Sequence, residues 1–155
     1  MEQKKMAIIA SKGSLDMAYP PLILATTAAA MDMDVTIFFT FFGLEMIKKN
    51  RADKLKVSPL GNPALHMPVP NIVGAMPGME AIATAMMKSM FKKHGVATIS
   101  QLLELAKENG VKLIACQMTM DVLGIKQEDI IDGVEFGGAA TFMDIAADAQ
   151  ISLFV

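Results

Sequence analysis

Short continuous apolar runs recur along the chain, and most are followed by a segment with helical spacing. Lys5–Ala10 is apolar at every position after the lysine, as in a parallel strand buried on both faces. Asp34–Thr40 is β-branched and aromatic and predicts a second strand. Between them, Asp16–Asp32 predicts a helix. Ser14 or Asp16 can cap it, and Pro20 and Pro21 fit only in its first turn, where no internal N–H is missed. After Phe41-Phe42-Gly43, Leu44–Asn50 predicts a short helix ending on Lys48 and Lys49, cations that suit the negative helix end. Gly78 opens a predicted helix over Met79–Lys93. Thr98 or Ser100 caps an amphipathic helix to Asn109, with Leu102, Leu103, Leu105 and Ala106 on its apolar side.

Val111–Ala115 is a further apolar run with β-branched residues and predicts a buried strand. Met118–Leu123 then has helical spacing and Gly124 ends it. Gly133–Phe136 predicts a short strand, Ala139–Ala149 a small-residue helix, and Ile151–Val155 a last strand. Strands alternating with helices predict an α/β fold. The expected architecture is a three-layer α/β/α sandwich around a mostly parallel sheet of about five strands. At 155 residues the natural count is one domain, residues 1–155. Residues 51–94 interrupt the alternation. Pro59, Pro63, Pro68, Pro70 and Pro77 make a proline-rich loop, and Met79, Met86, Met87 and Met90 make the next helix methionine-rich. This segment reads as an insertion, of the kind used as a lid, a binding loop or a subunit contact.

The hydrophobic fraction of 53%, with 15 methionines and no tryptophan, exceeds that of an ordinary soluble domain. Burial between subunits and contact with a membrane surface both account for it. The stretch from Met17 to Met33 is too short and too interrupted by Pro20, Pro21, Asp32 and Asp34 to span a bilayer. That favours a homo-oligomer over peripheral membrane contact. The charged Met1-Glu-Gln-Lys-Lys5 leads into a strand and a polar turn, so no signal peptide is expected. A net charge of −2 gives no electrostatic footprint for nucleic acid. The one cysteine, Cys116, excludes an intrachain disulfide and a multi-cysteine zinc site, and fits a reducing cytoplasm.

Cys116 ends the apolar run Val111–Ala115 instead of lying inside it. It would sit where a strand hands over to a helix, at the carboxyl end of the sheet, where reactive groups gather in open α/β folds. A helix start nearby favours the reactive thiolate. The competing reading makes Cys116 a small core hydrophobe. Gln117 and Thr119 are candidate hydrogen-bond partners of a bound group, with turn or cap roles as the alternative. Ser11, Lys12, Gly13 and Ser14 form the first strand-to-helix turn, which can hold a small anion on free N–H groups or serve as a tight turn with a cap. It lacks the three glycines of a dinucleotide fingerprint and the Gly-Lys-Ser/Thr ending of a P-loop. His66 and His94 have no ligand-like spacing to the cysteine, and the methionines of 79–90 do not face one point, so no metal and no cofactor are expected. Asp16, Asp121 and Asp144 are explained by capping and solvation more simply than by hydrolysis.

Taken together, Ser11-Lys-Gly-Ser-Leu-Asp-Met-Ala-Tyr-Pro20, Thr36-Ile-Phe-Phe-Thr-Phe-Phe-Gly43, Ala115-Cys-Gln-Met-Thr-Met-Asp-Val-Leu-Gly-Ile125 and Gly137-Gly-Ala-Ala-Thr141 resemble the DsrE/DsrF-like sulfur-relay family, in the DsrE-like branch sometimes labelled peroxiredoxin-related. The resemblance covers nearly the whole chain. It implies an α/β/α sandwich that assembles into oligomers and passes sulfur between proteins. Transferred by motif, Cys116 would hold a sulfane sulfur or a thiosulfonate group and hand it to a partner thiol, so the chain would be a sulfur carrier or sulfurtransferase. Sulfur donor and acceptor proteins, TusA-like carriers among them, would be its partners. The peroxiredoxin label gains nothing from the residues, since no Thr-x-x-Cys setting and no resolving cysteine are present. The alternative is a non-catalytic module that binds a ligand or drives assembly, with Cys116 structural.

Overall fold

The computed structural model describes residues 3–58 and 71–155. Its centre is a parallel sheet of five strands: β1 (Lys5–Ala10), β2 (Asp34–Phe39), β3 (Lys112–Cys116), β4 (Val134–Gly137) and β5 (Ile151–Phe154), ordered β4-β3-β2-β1-β5. The helices are α1 (Leu15–Ala30), α2 (Asn71–Gly74), α3 (Met79–Lys93), α4 (Ile99–Glu108), α5 (Gln117–Leu123) and α6 (Ala139–Ala147). The expected α/β sandwich is the observed one, and the sheet is parallel throughout.

The strand order explains which helix covers which face. From β1 to β4 each new strand is added on the same side of the last. Right-handed crossovers then keep their helices on one face. From β4 to β5 the chain returns across the whole sheet, so α6 falls on the other face. Alternate strand residues divide accordingly. Ile8, Ile37, Phe39, Leu113 and Ala115 pack in one large core with Leu22 of α1, Leu103 of α4 and Met120 of α5. Ala7, Phe38, Ile114 and Cys116 point the other way and meet Phe142 of α6. The Phe38 and Phe142 rings stack with centroids 5.2 Å apart.

Two expectations are corrected. Pro20 and Pro21 lie in the second turn of α1, because the helix begins at Leu15. They remove N–H groups that would reach the carbonyls of residues 16 and 17. Burial of Tyr19, Pro21 and Leu22 holds the helix in place nonetheless. The helix expected over Leu44–Asn50 is a 3₁₀ turn over Phe41–Met46. It starts at the strand end because Gly43 lies against the Ala10 carbonyl, so closely that a Cβ would overlap it. Of the proline-rich loop, Pro59, Pro63, Pro68 and Pro70 lie outside the described residues; its described ends hold a 3₁₀ turn at Ala52–Lys54 and the single turn α2. His66 lies outside the described residues.

The methionine-rich helix α3 divides its faces. Thr84, Met87 and Phe91 turn inward at helical spacing, and Ile82, Met86 and Met90 are exposed. The Thr84 hydroxyl accepts the Val57 N–H at 3.0 Å, and Phe91 meets Tyr19 edge to face at 4.6 Å. Thr98 caps α4 with a reciprocal capping box to Gln101. Among the described residues no helix is long and apolar enough to cross a membrane.

The nesting of the Phe41–Met46 turn on the end of β1 generates a prediction. Gly43→Ala forces backbone apart and is expected to destabilise the fold by about 3 kcal/mol, the upper part of the usual cost of overpacking. Urea denaturation with an unchanged slope is the check.

Candidate functional site at the end of β3

Three neighbouring strands end side by side. Ala115 is in register with Phe39, so the next residues, Cys116 and Thr40, stand beside one another. On the other side Cys116 is in register with Gly137. The strands β3 and β4 are followed by helices on opposite faces, α5 and α6. Their carboxyl ends therefore form the kind of switch point where crevices open in parallel sheets. Gly137 puts no side chain beside the sulfur.

Cys116 is 3% exposed and its side chain packs among Ala7, Phe38, Ile114 and Phe142. As the residue that opens α5, it has extended backbone angles, φ −70° and ψ 110°. Thr119, one turn into α5, is 2% exposed. Its Oγ1 lies 3.1 Å from Oγ1 of Thr40 and accepts the Phe41 N–H at 3.4 Å. Thr119, Thr40 and Met118 supply the hydroxyl and N–H groups whose hydrogen bonding favours the anionic sulfur. Burial pushes the thiol up, but hydrogen bonding from Thr119, Thr40 and Met118 outweighs it and holds the thiol below its ordinary range. Among the described residues the site thus favours a thiolate through hydrogen-bond donors, with no cationic group contributing.

The other residues singled out in the sequence take separate places. Gln117 donates from Nε2 to the Asp121 carboxylate at 2.9 Å on the exposed side of α5. The turn Ser11–Ser14 follows β1, which is separated from β3 by β2. At the spacing of neighbouring strands that is about 10 Å from Cys116. The Ser11 hydroxyl donates to the Val155 carbonyl at 2.9 Å, and Lys12 is exposed. Gly13 lies so close to the Phe42 carbonyl that no Cβ fits. Ser14 precedes α1 without a side-chain cap, and Asp16 supplies the acidic group of the first turn. His94 ends α3 and is exposed. Among the described residues no three His, Cys, Asp or Glu side chains gather where they could hold a metal ion.

Thr40 was not singled out in the sequence. Its signal, a hydroxyl residue at the end of a strand, becomes legible only when β2 is known to lie beside β3. A concavity of about 450 Å³ lies away from Cys116, among Lys48, Arg51, Asp53, Ser100 and Glu104. Its charges are largely satisfied internally: Lys48 and Arg51 pair with Glu45 at 2.7 and 2.9 Å, and Glu104 with Lys107 at 2.6 Å.

The match to the DsrE/DsrF/DrsH-like family model runs over residues 2–154. The chain belongs to that family. It is 52% identical over 161 residues to the sulfur carrier protein DsrE2 of Allochromatium vinosum, covering all of both chains. It is 35% identical to YrkE of Bacillus subtilis, covering 99% of this chain and 98% of the other. Among solved structures, the ychN protein of E. coli superposes with a TM-score of 0.62 at 16% identity, covering 99% of this chain and all of the other. MTH1491 of Methanobacterium thermoautotrophicum superposes with a TM-score of 0.57 at 9% identity, over the same shares. These two likenesses concern the fold of this DsrE-like chain.

A depressed thiol contributes stability that is present above the unfolded thiol value and is lost as pH falls through the folded value. Wild type is therefore expected to gain stability over Cys116→Ala as pH rises between those two values. Urea denaturation of both proteins across that window, with a difference that stays flat or shrinks, would count against the lowered thiol.

Proposed function

We propose that the protein is a sulfur carrier in which Cys116 holds a sulfane sulfur, or a thiosulfonate group, and passes it to a partner thiol. The observation that carries the reading is the place of the one sulfur, at the carboxyl end of β3 beside Thr40 and just before the buried Thr119 of α5, where hydroxyl and N–H groups favour the thiolate. Kinship with a protein named as a sulfur carrier supports the same reading. In loading, the Cys116 thiolate attacks the outer sulfur of a donor persulfide. An S–S bond forms to Cys116, the donor's S–S bond breaks, and its electron pair leaves on the donor thiolate. Delivery reverses the roles: the acceptor thiolate takes the outer sulfur and Cys116 departs as thiolate. One cysteine suffices, because the second thiol belongs to the donor or acceptor. The chain needs no cofactor for these steps.

Protein partners fit the surroundings better than free ions alone. Phe41, Phe42, Met118, Val122, Phe136 and Met143 are exposed on the elements that meet at the carboxyl end of the sheet. Apolar side chains of this size are suited to contact with other chains, whether further copies of this one or sulfur donors and acceptors such as a TusA-like carrier. The expected setting is cytoplasmic, where thiols stay reduced. Ser11, Lys12, Gly13, Ser14 and Gln117 contribute at most at the rim of such a contact, and Thr119 at the sulfur itself. A second reading has its own support: at 3% exposure, Cys116 is buried as a packing residue would be.

Intact mass spectrometry separates the two. Incubation with polysulfide, thiosulfate or tetrathionate is expected to add sulfur atoms or a thiosulfonate group to the wild type, reversibly with reductant, and nothing to Cys116→Ala. Absence of any adduct on the folded protein, with alkylation only after unfolding, would leave Cys116 as a packing residue.

A further inference from the structure

We propose that Thr40 is a catalytic residue: its hydroxyl, paired with that of Thr119, donates to the Cys116 sulfur and stabilises it as the nucleophile in loading and as the leaving group in delivery. This deepens the carrier reading above and rests on it.

The position is set by pairing. Thr40 stands beside Cys116 at the ends of β2 and β3, and its Oγ1 is 3.1 Å from that of Thr119. The backbone of Thr40 closes the following turn without help from the side chain. Its N–H donates to the Ala10 carbonyl at 3.1 Å, and its carbonyl accepts the Gly43 N–H at 2.9 Å. The hydroxyl is not used in forming that turn; it lies 3.1 Å from the Thr119 hydroxyl, at the strand end beside Cys116. Thr119 Oγ1 accepts the Phe41 N–H, which leaves its own proton to donate to Thr40 Oγ1 and the Thr40 proton to point at the sulfur.

A second observation falls on the next residue. Phe41 has φ +47°, a left-handed conformation that a bulky side chain rarely adopts. Asp32 and Asn50 also have positive φ, but their residue types tolerate it. Strain of this kind persists only where the surroundings over-determine it, and it concentrates at functional sites. Here Gly43 against the Ala10 carbonyl and Gly13 against the Phe42 carbonyl clamp the turn from both sides. The strained residue directs its N–H at Thr119 and, with Thr40 before it, fixes both hydroxyls beside the sulfur.

The chemistry uses this arrangement twice. In loading, Cys116–S⁻ and R–S–SH give Cys116–S–SH and R–S⁻. In delivery, R′–S⁻ and Cys116–S–SH give R′–S–SH and Cys116–S⁻. Charge rests on the Cys116 sulfur before the first step and after the second. It is absent from that atom in between, so donors aimed there favour release over storage.

The test uses the thiolate ultraviolet absorbance, which in this chain reports Cys116 alone because there is one cysteine. Loaded protein is also treated with cyanide, which takes the outer sulfur as thiocyanate and frees the Cys116 thiolate. Thr40→Val is expected to raise the titration midpoint by about one pH unit, the loss of one charge-assisted hydrogen bond. Cyanolysis is expected to slow about threefold, from the dependence of exchange on the leaving thiol. Thr40→Ser, which keeps the hydroxyl, is expected to restore both. Should Thr40→Val fail to fold, Thr119→Val is expected to move the midpoint the same way. A valine variant that folds and titrates as wild type overturns the proposal even if sulfur is still carried, and so does a serine variant that shifts as far as valine. A wild-type chain that takes up no sulfur, while Thr40→Val still shifts the midpoint, sinks the carrier reading and the catalytic role with it, and leaves the thiolate contact standing.

Discussion

The contact of Gly43 with the Ala10 carbonyl fixes the carboxyl end of the sheet. With no side chain at that position, the turn after β2 folds down onto the end of β1 at once. It is therefore a tight 3₁₀ turn. Phe41 is forced into positive φ, and Thr40 is held at the strand end next to Cys116. Gly13 repeats the arrangement from the other side against the Phe42 carbonyl. Two missing Cβ atoms thus transmit the geometry of β1 to a site that lies beyond β2.

At the site itself two effects oppose each other. Burial favours the neutral thiol, and the hydroxyl and N–H donors favour the anion. Among the described residues the donors prevail without a lysine, arginine or histidine contributing at the sulfur. A neutral donor set suits a group that must alternate between carrying charge and passing it outward. A fixed cation would hold the charge more tightly and would itself need a partner when the sulfur is neutral.

The sequence was most legible where local signals agree with packing. Lys5–Ala10 is a strand in the bounds its apolar run suggests, and Met79–Lys93 is the helix that Gly78 opens. Cys116 could be placed at a strand-to-helix junction because Ala115 and Gln117 differ sharply in polarity. What stayed hidden was lateral. Nothing in the spacing says that β2 lies beside β3, so Thr40 had no visible tie to the cysteine, and the Ser11–Ser14 turn stood as the donor loop in its place. The prolines of α1 misled for a different reason. Their local cost is real, but a helix buried along Leu15, Ala18, Leu22 and Ala25 absorbs it.

The sheet is covered very unequally. Among the described residues one face carries α1 and α4 over a broad core, and the other has the nine residues of α6, held at its centre by Phe142 on Phe38. Stability in such a structure is not shared evenly, and the lightly packed layer is where sub-global opening costs least. Cys116 belongs to that lighter layer, while the strand pairing that aligns it with Thr40 belongs to the sheet itself. Access to the sulfur and the order of its surroundings are therefore governed by different parts of the molecule, and the first can fluctuate while the second holds.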